Sequence, residues 1–208
     1  MKIDPDAVLW SAPERERASR PLLVLLHGYG SHEGDLFGLS PRLPLGPVIA
    51  SVRAPLPANG GWAWFPLTSG QTGNPDPLVV DDAARAVLNW LDTVEHTSVS
   101  LLGFSQGAAV ALQMLRLAPT QFESVVALSG FVAGGAKVGD NQLEVSRPPV
   151  FWGRGTLDRM VPADAVARAE AWLPEHSTST VRIYEDVAHG VSSAELTDVS
   201  AFLRASSS

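Results

Sequence analysis

Short apolar runs recur along the chain: Leu22 to Leu26, Val48 to Val52, Ser98 to Gly103, Ser124 to Leu128, Val150 to Gly153 and Thr180 to Tyr184. Most are continuous rather than alternating, the pattern of strands covered on both faces of a parallel sheet. Between them the spacing becomes helical. Val80, Ala84, Val87, Leu91 and Val94 fall on one helical face, and Asp76-Pro77 supplies a start signal. Gln106 to Ala118 is mostly apolar and predicts a buried central helix, stopped by Pro119. Pro162 to Leu173 predicts another, ended by Pro174. Ser192 with Glu195 reads as a capping box before Leu196, Val199 and Leu203. Strand and helix alternate, which predicts an α/β class: a mostly parallel central sheet with helices on both faces. Val8 to Trp10 reads as an early strand that a hairpin would place antiparallel at the sheet edge.

Three polar stretches interrupt the alternation: Ser11 to Arg20, Ala54 to Pro75 and Gly130 to Arg147. Loops of that length are usually functional or mobile. None is long enough for a cap domain, and Ser206 to Ser208 reads as a frayed end. A length of 208 residues predicts a single domain spanning 1–208. The charged share of 18% against 45% hydrophobic argues against disorder. A net charge of −7 without a basic stripe argues against nucleic acid as a partner. The absence of Cys excludes a disulfide framework, a thiolate metal site and a Cys nucleophile. Met1 to Trp10 carries Lys2, Asp4 and Asp6 and does not read as a signal peptide. No apolar run approaches the roughly 20 residues that span a bilayer, so no stable membrane insertion is expected. A cytoplasmic location is the expectation.

The chemistry starts at Gly103-Phe104-Ser105-Gln106-Gly107, a G-x-S-x-G match. The bare pattern arises readily in a chain with 18 Gly, so its context decides. Here an apolar strand precedes it and a helix follows. A sharp strand-to-helix turn lifts a Ser hydroxyl out of the sheet, and the helix N-terminus then faces developing negative charge. A serine nucleophile needs a base and a group that orients the base. Among five His, His189 follows the strand Thr180 to Tyr184 and precedes the last helix. His27 also follows a strand, but lies in Leu26-His27-Gly28-Tyr29-Gly30 and is expected to brace that loop. His32, His96 and His176 lie in polar stretches and are expected to be solvated. For the acid, Asp158 follows Val150 to Gly153, whereas Asp186 and Glu185 share the loop of His189 and would reach round to it poorly. Asp164 reads as first-turn charge on a helix.

Ser105, Asp158 and His189 then fall in the Ser…acid…His order of α/β-hydrolases. Each follows a separate strand, and in an open parallel sheet the carboxyl ends of the strands share one edge, where ligands bind. Two backbone N–H groups are needed for an oxyanion; Gln106, after the nucleophile, and Tyr29, after an earlier strand, are the candidates. Trp62, Trp64, Phe65 and Leu67 lie in a long loop and are candidates for the wall of an acyl pocket. His27, His32 and Glu33 form only a loose set, so no metal site is expected, and the chemistry calls for no cofactor.

Several segments together resemble the phospholipase/carboxylesterase family of small α/β-hydrolases, which includes the acyl-protein thioesterases. They are LLHGYGSHEGDL (25–36), RAP (53–55), GWAWF (61–65), GFSQGA (103–108), GTLDRMVP (155–162) and AHGVS (188–192). The resemblance spans nearly the whole chain. It implies Ser105 as nucleophile, Asp158 as acid, His189 as base, and Tyr29 and Gln106 as oxyanion donors. The chain departs from many members in having Ser31 directly after HGYG and Pro66 after Trp64-Phe65. In HGYGSHEGDL it looks more like the bacterial esterase branch. The implied activity is a serine carboxylesterase or thioesterase whose partner is a small-molecule acyl ester or thioester; self-association into a homodimer is left open. A lysophospholipase would share these residues. A non-catalytic binder on the same fold would show a lost triad member or a blocked elbow, and neither is present.

Overall fold

The computed structural model describes residues 1–67 and 73–206. Its main sheet contains β1 (Leu9–Trp10), β2 (Leu22–Leu26), β3 (Val48–Val52), β6 (Val99–Phe104), β7 (Ser124–Leu128), β8 (Pro149–Gly155) and β9 (Thr178–Tyr184). A separate hairpin is formed by β4 (Leu56–Ala58) and β5 (Gly61–Ala63). The helices are α1 (Glu33–Phe37), α2 (Pro77–Leu91), α3 (Gln106–Leu117), α4 (Asp140–Ser146), α5 (Ala163–His176) and α6 (Ser193–Ser206). The strand order is β1-β3-β2-β6-β7-β8-β9. Every neighbouring pair is parallel except β1 with β3.

The continuous apolar runs have the predicted cause. Leu22, Val24 and Leu26 face a core shared with α2, α3 and α5, whereas Leu23 and Leu25 face a second core closed by α1 and α6. Both faces are covered, so no position on β2 is left for a polar residue. At the far edge β9 is largely exposed, including Val181 and Ile183. The antiparallel edge strand is present, but it pairs with β3, register Leu9↔Ser51, and not with β2 through a hairpin.

Three readings are corrected. Pro174 does not end α5, which continues to His176. The proline lies in the last turn, and beyond it both the Ser177 N–H and its hydroxyl still donate to Leu173 O. His176 is buried, not solvated: its ring stacks on Trp172 and Nδ1 bonds the Trp172 carbonyl. The stretch Gly130 to Arg147 holds α4, fastened by buried Arg116. That guanidinium donates to Asp140 through two nitrogens, at 2.8 and 2.7 Å, and to the carbonyls of Ala133 and Gly135. Residues 68–72 and 207–208, parts of the Ala54 to Pro75 loop and of the frayed end, lie outside the described residues.

Close packing at the centre requires glycine. A Cβ on Gly107 would run into the Leu26 carbonyl, and one on Gly103 into the Gly107 carbonyl and Ala108 N. Gly107→Ala is therefore expected to lower stability by about 1–3 kcal/mol, since overpacking against backbone cannot be relieved by a rotamer change. Gly46→Ala, which would meet nothing within 4 Å, should stay within about 0.5 kcal/mol. Urea denaturation of the two variants checks this.

Candidate active site

The carboxyl ends of β2, β6, β8 and β9 lie along one edge and lead to His27, Ser105, Asp158 and His189. Ser105 occupies the turn from β6 into α3 at φ 54° and ψ −115°. A non-glycine residue there is strained by on the order of 1–3 kcal/mol and persists where its surroundings hold it. The Ser105 N–H donates to Leu128 O, and its carbonyl accepts from Ala108 and Ala109.

His189 Nε2 lies 2.8 Å from Ser105 Oγ, and His189 Nδ1 lies 2.8 Å from Asp158 Oδ2. The other oxygen, Asp158 Oδ1, accepts from the N–H groups of Met160 and Val161. Burial pushes the Asp158 carboxyl up, but the His189 bond and those backbone donors outweigh it and hold it below its ordinary value. An ionised carboxylate only accepts, so Nδ1 carries the proton and Nε2 is left to accept from the Ser105 hydroxyl. The His189 ring rests on Phe104, centroids 5.0 Å apart. Asp186 and Glu185 are exposed, and neither has a bond to His189 among the described residues.

His27 is fully buried and uses both ring nitrogens: Nδ1–H donates to Gly28 O at 2.7 Å, and Nε2 accepts from the Ala54 N–H at 3.1 Å. Burial lowers its pKa and keeps it neutral. It braces the loop that presents Tyr29. Among the described residues, neither the Tyr29 nor the Gln106 N–H has a hydrogen-bond acceptor, and both residues line the same cavity as Ser105 and His189.

That cavity has a volume of about 290 Å³. Phe65 and Leu67 line it, together with Phe104, Phe131, Met160 and Val161. Trp62 and Trp64 do not, which corrects the reading of all four as pocket wall. Trp64 is fully buried, and its indole N–H donates to His27 O at 2.7 Å. Its backbone N–H donates to Gln106 Oε1, and Gln106 Nε2 donates to Phe65 O. Trp62 bridges to Ser31 and stacks under the Arg53 guanidinium. The aromatic loop is thus stapled to α3, the helix that follows Ser105. Phe131 was not anticipated, although it follows β7 at the same sheet edge; Met160 and Val161 lie two and three residues after Asp158. Among the described residues, no group of three His, Asp or Glu side chains converges to hold a metal ion.

A mostly parallel sheet, a strained serine between strand and helix, and a His–Asp pair beside it define an α/β-hydrolase. The chain belongs to the phospholipase/carboxylesterase family, which it matches over residues 11–207. It is 30% identical over 169 residues to acyl-protein thioesterase 1 of Saccharomyces cerevisiae, covering 72% of each chain. It is 28% identical over 209 residues to carboxylesterase SOBER1 of Arabidopsis thaliana, covering 89% of this chain and 90% of that one. In fold it is similar to the carboxylesterase of Bacillus cereus, with a TM-score of 0.81 over 96% of this chain and 93% of that one at 19% identity. It is an enzyme that acts on ester bonds.

Proposed function

We propose that the protein hydrolyses small acyl esters or thioesters through an acyl-enzyme on Ser105. The observation that carries the reading is the unbroken line Asp158–His189–Ser105, with 2.8 Å at each link, beside two N–H groups that have no acceptor among the described residues. Ser105 Oγ attacks the carbonyl carbon while His189 Nε2 takes its proton. The carbonyl electrons move onto oxygen, and the N–H groups of Tyr29 and Gln106 hold that oxyanion. Asp158 stabilises the imidazolium and does not itself take the proton. Collapse breaks the bond to the leaving oxygen or sulfur, which receives the proton from His189. Water then repeats the sequence on the acyl-Ser105 ester and releases the acid.

The cavity, at the small end of ligand sites, supports short acyl groups, with Phe65, Leu67, Phe131, Met160 and Val161 as their apolar wall. The test is a panel of p-nitrophenyl esters of increasing acyl length together with an acyl thioester. Turnover with kcat/KM highest for short chains is expected. Folded protein that cleaves none of them would exclude the reading; a maximum at long chains would contradict the assigned pocket.

A further inference from the structure

Glu195 breaks the capping pattern its sequence position predicts. Its backbone N–H donates to Ser192 Oγ at 3.1 Å, which is half of the box. The carboxyl does not return the bond: it is turned inward, is 1% exposed, and among the described residues neither oxygen has a hydrogen-bond partner. It lies against Gly153 of β8, where a Cβ on residue 153 would overlap Oε1, with the Phe151 ring alongside. Only glycine leaves room for it.

That seat is close to the reacting groups in register. Gly153 pairs with Leu128, and Leu128 with Phe104, whose ring supports His189. The chain beyond Gly153 leads to Asp158, and the chain before Glu195 carries His189. Glu195 therefore touches one strand and opens one helix, and the two deliver the two halves of the His–Asp pair.

We propose that Glu195 is a positioning residue for His189: its buried carboxyl, packed on Gly153, holds the start of α6 and the His189 loop against the strand that leads to Asp158. The inference rests on the reading of Ser105 and His189 given above. A buried carboxyl without partners strongly disfavours its charged form. Burial pushes Glu195 up to about 7, Asp198 adds to the rise, and the Ser192 N–H, near but outside bonding geometry, opposes it. Of the other charged or titratable groups around it, two are on β9, Tyr184, bonded to Asp198 at 2.8 Å, and Arg182, 4.0 Å from the same carboxylate, and a third, Arg42, donates to the Ser193 hydroxyl and carbonyl at the start of α6, at 3.0 Å each. From β8 it meets Gly153 and Phe151, which carry no charge. Because the folded value lies above the ordinary 4.5, the associated stability is full below pH 4.5 and is lost as pH rises through about 7.

The experiment measures kcat and KM for p-nitrophenyl acetate from pH 5 to 9, with Tm at each pH, in wild type, Glu195→Gln and Glu195→Ala. The alanine variant should lose at least about tenfold in kcat with KM nearly unchanged, as expected when orientation and not substrate binding is lost. The glutamine variant, a permanently neutral near-isostere, should restore most of kcat. It should also lack the fall in kcat and Tm that wild type shows as pH rises through about 7. An alanine variant within about threefold of wild-type kcat overturns the inference. So does an alkaline profile shared by wild type and Glu195→Gln, and that comparison decides alone if the alanine variant does not fold. A wild type that cleaves no ester overturns the esterase reading and this inference together; a working wild type matched by its variants overturns only this one.

Discussion

Replacing Ser105 with Ala is expected to lower kcat by on the order of 10⁶ while the fold is kept, the loss typical of removing a sole covalent nucleophile. No other hydroxyl lies within bonding distance of His189 Nε2 among the described residues. Without Oγ the imidazole has no proton to accept from the protein, and the oxyanion site has no attached acyl group to act on. Alanine keeps the β carbon, so the strain at φ 54° is unchanged. The Ser105 N–H bond to Leu128 O is a backbone bond and also survives. Stability should therefore move by less than about 1 kcal/mol. Steady-state kinetics with a Tm measurement separate the two effects, and activity within tenfold of wild type would exclude Ser105 as nucleophile.

The second large effect belongs to Asp158. Asp158→Asn should lower kcat by as much as about 10⁴, because the amide can donate and favours the wrong His189 tautomer. Nδ1 would then face a donor, Nε2 would carry the proton, and the Ser105 hydroxyl would lose its acceptor. The two other acids of that region serve as internal controls. Asp186 and Glu185 are exposed and, among the described residues, make no hydrogen bond to the ring, so Asp186→Asn and Glu185→Gln should each stay within about tenfold, a barrier change near 1.4 kcal/mol. Measuring kcat for the three variants at one pH decides the acid. A large loss at Asp186 or Glu185 with little at Asp158 would mean that the geometry misleads.

Much of this was legible in the chain because it depends on local pattern. Continuous apolar runs mark strands buried on both faces, and Leu22 to Leu26 and Val48 to Val52 coincide with β2 and β3 residue for residue. Asp76-Pro77 opens α2 as expected, with the Leu78 N–H donating to the Asp76 carboxylate. The meeting of Ser105, Asp158 and His189 follows from strand ends alone, since three parallel strands must finish at one edge.

What the chain did not show depends on partners distant in sequence. Helix α4 has a single well-buried apolar residue, Leu143, and stands because Arg116 reaches Asp140 from another helix. Periodicity carries no trace of such a bond. The tryptophan loop read as pocket wall because aromatic residues favour both walls and staples; the choice was made by His27 O and the Gln106 amide, which claim Trp64 and its neighbour. Glu195 matched a capping box at the spacing that favours one, and the missing Cβ of Gly153, far upstream, offered its carboxyl a different seat.

The central claim is a covalent intermediate on Ser105 formed with His189 as base. It is tested most directly by treating the folded protein with a fluorophosphonate and mapping the adduct by mass spectrometry. The account predicts one adduct per chain, on Ser105, and a much slower reaction in Asp158→Asn. Folded protein that takes up no label, or carries it on any residue other than Ser105, would contradict it.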